Sequence, residues 1–105
     1  MLNIFRSEKN SAQIDHGAVF CAPEHIVVHL HKEGVVLLDS RKGLLFSGNR
    51  AAATIWAGIS QKHAIETIVD QLSSDNGVPA ARVLEDTMTY IRNLQQRGLV
   101  ARMRS

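Results

Sequence analysis

The sequence predicts an α+β fold in which a three-stranded antiparallel β-meander is followed by a three-helix bundle. Three short apolar segments lie close together between residues 25 and 48, and each is joined to the next by a short polar connection. Connections of about three residues force neighbouring strands to run antiparallel. From residue 49 onward, apolar residues recur at helical spacing in three successive segments. A small meander is unstable in water by itself, so we expect the helices to cover one of its faces.

The length and composition indicate one small domain. The chain has 105 residues and a formal net charge of +2, and it is 45% hydrophobic, which is ordinary for a globular protein. We expect residues 1–24 to be a loosely ordered lead-in, with a short extended piece at 18–21, and residues 25–105 to be the functional domain.

The expected compartment is the cytoplasm. The chain has a single cysteine, Cys21, so an intrachain disulfide is impossible. Its first residues have no apolar region of signal-peptide length, and no run approaches the roughly 18 apolar residues of a membrane span. We therefore predict no membrane association.

The predicted strands are HIVVHLH at 25–31, VVLLDS at 35–40 and LLFSG at 44–48. In the third strand Leu44 and Phe46 share one face and Leu45 points to the other, so the strand is apolar on both faces. An outer strand normally carries a charge or a proline that blocks further pairing. LLFSG has neither, so its open edge needs a cover.

The three helices are predicted from their apolar stripes. Asn49 is a suitable N-cap for the first, which should end near Gly58. For the second, Ser60 is the best N-cap candidate and Asn76–Gly77 marks the end. The third should begin near Pro79 and end before Gly98, with LVARM at 99–103 following as a short strand or an extended tail. The stripes are Ala52, Ile55, Trp56 and Ile59; then Ile65, Ile68, Val69 and Leu72; and then Leu84, Met88, Ile91 and Leu94, flanked by Val83, Thr87 and Tyr90.

No catalytic or metal-binding motif is present. His25, His29 and His31 would share one face of a strand, but no cysteine or carboxylate on that face completes a ligand set. We therefore expect a solvated face and no metal or cofactor. Serines lie outside any nucleophile motif, and the glycines form neither a P-loop nor a dinucleotide fingerprint. The protein is not expected to be an enzyme.

Three helices beside a small sheet are typical of a winged helix-turn-helix, which makes nucleic-acid binding an alternative function. In that arrangement the third helix would enter the major groove. Glu85 and Asp86 lie on its outward side near the end that approaches the bases, where they would repel phosphate. We therefore expect no nucleic-acid partner.

The open edge of the third strand is the remaining candidate for function. An extended peptide can add to such an edge, with backbone hydrogen bonds for affinity and side-chain pockets for selectivity. The lead-in, or a second copy in a homodimer, would cover the edge equally well. The residues alone leave a peptide partner and self-covering open.

The order of motifs resembles the PqqD-like family, small proteins named for pyrroloquinoline quinone (PQQ) biosynthesis whose domain is also called the RiPP recognition element. The resemblance spans about residues 25–101. Two positions depart from the usual pattern: Gly48 stands where a leucine is usual, and Ala64 stands where Thr or Ser often caps the second helix. The matching residues are Leu37, Leu38, Asp39, Gly43, Phe46, Asn49, Ile55, Trp56, Ile68, Val69, Asp86, Tyr90, Ile91, Gly98, Leu99 and Val100.

The resemblance implies a non-catalytic peptide chaperone on a winged helix-turn-helix-like fold. Such a protein captures the leader of a ribosomally made precursor as an added strand and presents it to a modifying enzyme, such as a radical SAM protein, a peptidase or a kinase-like protein. Asp86 would pair with a basic or hydroxyl group of the leader, and Tyr90 would offer a flat wall with a polar tip. The implied peptide-binding residues are Leu44, Leu45, Phe46, Val83, Asp86, Thr87 and Tyr90.

Overall fold

Within residues 17–103 the protein contains the predicted three-stranded antiparallel sheet and three helices, together with a small two-stranded sheet. The computed structural model describes residues 17–103 of the chain. In chain order the elements are β1 (Phe20–Cys21), β2 (Ile26–His31), β3 (Gly34–Asp39), β4 (Leu44–Gly48), α1 (Arg50–Ser60), α2 (Ile65–Asn76), α3 (Ala80–Gln96) and β5 (Ala101–Arg102).

The main sheet has the strand order β2-β3-β4, so β4 is an edge strand. Its register is set at the turn after β3, where the buried Asp39 carboxylate accepts hydrogen bonds from the backbone N–H groups of Arg41 and Lys42 at 3.0 and 3.1 Å. Gly43 completes the turn at φ +67°, a conformation that favours glycine. Within residues 17–103, no strand pairs with the outer edge of β4.

The two faces of the sheet differ in their cover. Leu37 is buried against the helices, and its cross-strand partner Phe46 lies on the same face. The opposite face carries a row formed by Val27, Leu38 and Leu45 in register across the three strands. Val27 is 54% exposed and Leu45 is 69% exposed. The predicted division of Leu44 and Phe46 from Leu45 is therefore confirmed.

Helix α1 starts where the sequence predicts and ends later. The Asn49 side chain accepts a hydrogen bond from the Ala52 N–H at 3.0 Å, which confirms the N-cap. The predicted end at Gly58 is wrong, because the helix continues to Ser60. Gly58 is a packing position: a Cβ there would lie 2.5 Å from Cγ1 of Ile68 on α2, so glycine permits the close approach of the two helices.

The start of α2 also corrects a prediction. Ala64, not Ser60, is the N-cap residue, and its methyl side chain cannot accept a hydrogen bond from the first turn of the helix. The N–H of Ile65 instead donates to the Ala18 carbonyl at 3.0 Å. The helix ends as predicted at Asn76, with Gly77 in the left-handed conformation at φ +63°.

Helix α3 runs over its predicted length, but its buried stripe is rotated. Val83 and Thr87, predicted on the flank, are buried, whereas Leu84 is only half-buried against the core. Tyr90 is also half-buried. Both α2 and β4 contact this side of α3, so the buried arc is wider than the apolar stripe alone suggests.

The segment 17–24 belongs to the folded domain, which corrects the expectation that residues 1–24 form a loosely ordered lead-in. Strand β1 pairs with β5, Phe20 opposite Arg102 and Cys21 opposite Ala101. Phe20 is 1% exposed and shares the core with Trp56 and Leu99. The extended piece expected near 18–21 and the returning strand within LVARM are thus two sides of one pairing. The rest of the predicted lead-in, residues 1–16, lies outside the described residues.

Across the part of the chain that the structure describes, no helix is both long and apolar enough to cross a membrane.

Candidate functional site

A groove runs between the edge strand β4 and helix α3. Two cavities form it, one of about 620 Å³ and one of about 350 Å³. Ser47 of β4 and Tyr90 of α3 line both cavities, so the cavities lie next to each other on one surface. We call this surface the β4–α3 groove. Because no strand of residues 17–103 pairs with the outer edge of β4, the groove lies beside backbone groups that are open within this part of the chain.

The larger cavity has apolar walls and a polar rim. Ala52 and Ile55 of α1 are buried behind it, as they face the core. Asparagine side chains stand at the end of β4 and at the end of α2, and Asp86 adds a carboxylate from α3. The lining residues are Ser47, Gly48, Asn49, Ala51, Ala52, Ile55, Leu72, Asn76, Val78, Val83, Asp86, Thr87 and Tyr90.

Tyr90 is held at the junction of the two cavities by the core. Its hydroxyl oxygen accepts a hydrogen bond from Nε1 of the fully buried Trp56 at 3.1 Å. Burial raises the pKa of Tyr90 above its ordinary value, and the hydrogen bond from Trp56 opposes part of that rise. The phenol is therefore fixed in place and stays protonated at neutral pH.

Gly48 leaves space beside the Tyr90 hydroxyl. A Cβ at this position would lie 3.6 Å from the Tyr90 oxygen and 2.6 Å from Cβ of Ala52. The glycine that departs from the family pattern thus allows α1 to pack closely against the end of β4. It also exposes backbone on the floor of the larger cavity.

The smaller cavity lies beside the middle of β4 and the end of α3. Phe46 and Leu37 contribute apolar surface from the sheet, and Leu94 and Leu99 contribute it from the helix end. The Arg97 guanidinium carbon lies 5.8 Å from the centre of the Phe46 ring, a cation–π distance. Phe46 therefore faces the groove and the core, and Arg97 caps this end.

The structure brings most of the predicted site residues together. Val83, Asp86, Thr87 and Tyr90 line the larger cavity, and Phe46 lines the smaller one with Tyr90. Leu44 and Leu45 line neither cavity; they are exposed on the edge strand, Leu44 by 48% and Leu45 by 69%.

The sequence reasoning missed several residues of the groove. Asn93 and Arg97 could have been found, because they continue the Tyr90 face of α3 at steps of three and four residues. The contributions of α1 and α2 depend on how the helices pack, which no local pattern reveals. The missed residues are Ser47, Gly48, Asn49, Ala51, Ala52, Ile55, Leu72, Asn76, Val78, Leu37, Asn93, Leu94, Arg97 and Leu99.

The chemistry available in the groove is that of binding. It offers an open strand edge, apolar walls, amide side chains, one carboxylate and one guanidinium. Among residues 17–103, no group of three His, Cys, Asp or Glu side chains is placed to hold a metal ion. The His29 and His31 rings are exposed, with centroids 6.3 Å apart.

The comparisons with known proteins concern most of the chain. The family model described as coenzyme PQQ synthesis protein D (PqqD) matches residues 34–100. No curated protein sequence matches.

Two solved structures are similar over most of their length. One is TbiB1 in complex with the TbiA(beta) leader peptide, with a TM-score of 0.71 and 24% identity, covering 75% of this chain and 92% of that one. The other is a lasso peptide synthetase B1 complexed with the leader peptide, with a TM-score of 0.72 and 26% identity, covering 78% of this chain and 96% of that one.

Proposed function

This chain belongs to the PqqD family, and from that premise we propose that it is a non-catalytic peptide-binding protein that captures the leader of a ribosomally made precursor. The leader adds as a fourth strand to the free edge of β4 and places its side chains along the β4–α3 groove. The bound precursor is then presented to a separate modifying enzyme, such as a radical SAM protein or a peptidase, in the cytoplasm.

The observation that carries the proposal is the open edge of β4 beside an apolar groove. An added strand pairs its N–H and C=O groups with those that β4 leaves unpaired. Its alternate side chains then fall on the two faces of the extended sheet. One set enters the groove beside Phe46, and the other set packs beside the exposed Leu45.

The comparisons support peptide binding. The 26%-identical lasso peptide synthetase B1 was solved with a leader peptide bound. TbiB1, at 24% identity, supports the fold alone. The family description refers to coenzyme PQQ synthesis, and a lasso peptide leader is a different precursor class, so we propose peptide capture in general and PQQ biosynthesis as one candidate pathway.

The proposed contact residues act in two ways. Leu44, Leu45 and Phe46 provide the strand edge and its cross-strand neighbours. Val83 and Thr87 form the helix wall, Tyr90 presents a fixed phenol between the cavities, and Asp86 binds a cationic or hydroxyl group of the leader. No cofactor is required for this function.

Titration with the leader peptide of a precursor encoded beside this gene tests the proposal. Trp56 is the single tryptophan of the chain and is hydrogen-bonded to Tyr90 of the groove. Its fluorescence is therefore expected to change as the leader binds, alongside heat release in calorimetry. Hydrogen exchange is expected to slow at the amides of β4. A folded, monomeric protein that binds no such leader would contradict the proposal.

Two charge substitutions test the placement of the leader. Leu45→Lys and Asp86→Arg should each weaken binding by about 1–3 kcal/mol, because a bound leader would bury both of these exposed side chains in its interface. Val27→Lys is the matched control for the first, since Val27 is similarly exposed on the same face but on the distant strand β2. Glu85→Arg is the control for the second, as Glu85 is exposed beside Asp86 and lines neither cavity.

The same experiments address the alternatives. We propose a winged helix-turn-helix-like arrangement of the three helices, with peptide binding in place of nucleic-acid binding. Salt-sensitive retention of duplex DNA would favour the nucleic-acid alternative. A dimer that dissociates when β4 is altered would favour a module that covers its own edge.

A further inference from the structure

The two ends of the β4–α3 groove carry opposite charges. Among residues 17–103, Asp86 is the one acidic residue that lines the larger cavity, and Arg97 is the one basic residue that lines the smaller cavity. Both residues are exposed to solvent. Neither charge is paired with the other, because the two residues lie at separate ends of the groove.

The order of the ends follows from how β4 and α3 meet. Phe46, the middle residue of β4, lies beneath Arg97, the residue that follows the end of α3. Gly48, at the finish of β4, lies near Tyr90 and shares the larger cavity with Asp86. The strand and the helix therefore run in opposite directions along the groove, with the basic end beside the start of β4.

The charges around each end have mixed signs, but they keep the same direction. At the basic end the exposed Arg41 and Lys42 outnumber the buried Asp39. Arg41 and Lys42 lie in the turn that leads directly into β4.

At the acidic end Glu85 and Asp86 outnumber Arg82, which lies one turn earlier on α3. Near the finish of β4, the Glu33 carboxylate lies 3.6 Å from Nη2 of Arg50, so these two exposed charges offset each other. The charge along the groove therefore changes from positive beside Arg97 to negative beside Asp86.

We propose that this polarity selects leaders by charge order and sets their direction, an inference that rests on the proposed function. The guest strand carries an acidic residue beside Arg97 and a basic residue beside Asp86. A guest that runs antiparallel to β4, as each neighbour in the sheet does, then has its basic residue towards its N-terminus.

The geometry also gives the spacing of the two charges in the guest. Asp86 and Arg97 are separated by about 16 Å along the helix axis at a rise of 1.5 Å per residue. An extended strand covers that length in about five residues. A basic residue followed by an acidic residue about four to six positions later is therefore the expected signature.

The expected effect of each charge is moderate. Exposed charges are screened by solvent, so we expect reversal of Arg97 to weaken binding by about three- to tenfold, and reversal of Asp86, which lines the larger cavity, by about fivefold or more. Charges at the rim act mainly on the association rate and its salt dependence. Apolar and backbone contacts supply the remaining affinity, so binding survives the reversal.

Selection from a library of random peptides by mRNA display, with the full chain immobilised, tests the inference. Peptides enriched on the wild-type chain are expected to show the basic-then-acidic order around an apolar segment. Selection on Arg97→Glu should replace the acidic residue by a basic one and leave the other end unchanged. Selection on Asp86→Lys should do the converse.

Two further variants act as controls. Lys62→Glu makes the same change in net charge as Arg97→Glu at an exposed residue that lines neither cavity, and it should leave the enriched pattern unaltered. Arg97→Gln removes the charge without reversing it and serves if the glutamate variant fails to fold. Circular dichroism establishes folding for each variant.

The outcomes separate this inference from the proposed function. Enriched peptides without a charge order, with the reverse order, or with an order that Arg97→Glu and Asp86→Lys both leave unchanged, would overturn the inference while peptide binding stands. A selection that enriches no peptide over beads without protein would overturn both.

Discussion

At the residue scale, the hydrogen bond between Trp56 and Tyr90 links the groove to the core. The indole of Trp56 is fully buried, and its Nε1–H donates to the Tyr90 hydroxyl at 3.1 Å. An unsatisfied buried donor would cost about 1–3 kcal/mol, so the phenol stabilises the fold as well as lining the groove. One residue thereby serves both the packing under the sheet and the surface that faces a guest.

Burial of Tyr90 predicts a loss of stability in alkaline solution. The pKa of Tyr90 is raised from 10.0 in the folded state, so the unfolded chain releases the phenol proton first as the pH increases. The stabilisation is fully present below pH 10 and is lost as the pH rises through the folded pKa. Urea unfolding at a series of pH values around 10 measures this slope.

Tyr90→Phe supplies the reference for that titration. The variant keeps the lysines, so their contribution to the change of unfolding free energy with pH remains. The contribution of the Tyr90 phenol is removed. Tyr90 is the single tyrosine of the chain, so absorbance of tyrosinate gives the folded pKa directly. Equal slopes for both proteins, or a midpoint at or below 10.0, would show that burial does not perturb the phenol.

At the element scale, the first two helices begin in different ways. The Asn49 side chain caps α1 by accepting a hydrogen bond, whereas the methyl group of Ala64 at the start of α2 cannot accept one. The α2 terminus relies instead on the carbonyl of Ala18, which accepts from the Ile65 N–H. The first helix start is encoded locally, and the second depends on a segment far away in the sequence.

Removal of the Asn49 side chain should destabilise the protein measurably. Asn49→Ala leaves the Ala52 N–H without its 3.0 Å acceptor, and loss of an N-cap costs about 0.5–2 kcal/mol. Chemical denaturation measures the change in unfolding free energy. Ser47→Ala, at an exposed residue two positions earlier, should change it by less than about 0.5 kcal/mol. Similar values for the two variants would mean that the cap contributes little.

Addition of a side-chain cap to α2 should have the opposite effect. The backbone of Ala64 is extended, at φ −68° and ψ 157°, which is the conformation in which serine caps a helix. We expect Ala64→Ser to raise the unfolding free energy by about 0.5–1 kcal/mol. Ala57→Ser, inside α1, introduces a hydroxyl away from a helix start and controls for the new group. An unchanged or lower stability would show that the Ala18 contact already satisfies this helix start.

The contrast between these helices explains how far the sequence predicts the fold. Asn49, Gly77 and Gly98 act through local backbone geometry, so the boundaries they set can be read from the sequence. Gly58 resembles a helix stop by the same logic, yet it is a contact point for Ile68, and that contact exists only after α1 and α2 pack.

The candidate site divides in the same way. Val83, Asp86, Thr87 and Tyr90 follow from the helical period of α3 and from the family resemblance, and they share one cavity. The walls from α1 and α2, such as Ile55 and Leu72, arise from tertiary packing. The rotation that buries Thr87 more than Leu84 has the same origin. Local periodicity locates the elements, but it does not determine how each helix is turned against its neighbours.

At the scale of the whole molecule, the first and last described segments close the core together. Strands β1 and β5 pair with each other, and the Met103 N–H donates to the Val19 carbonyl at 2.8 Å. Phe20 and Leu99 are buried on either side of this pairing. The family model begins at residue 34, so this closure includes chain that precedes the matched region.

Substitution of Phe20 should therefore cost a large part of the total stability. Phe→Ala in a core costs about 3–5 kcal/mol, and domains of this size are stabilised by about 5–15 kcal/mol in all. We expect Phe20→Ala to lower the urea midpoint strongly, whereas Cys21→Ala, at the adjacent half-buried residue, should have a much smaller effect. The β4–α3 groove depends on the same core through Trp56 and Leu99, so partial unfolding of Phe20→Ala should also weaken binding of the leader. A Phe20→Ala protein as stable as Cys21→Ala would show that the Phe20 side chain contributes little to the core.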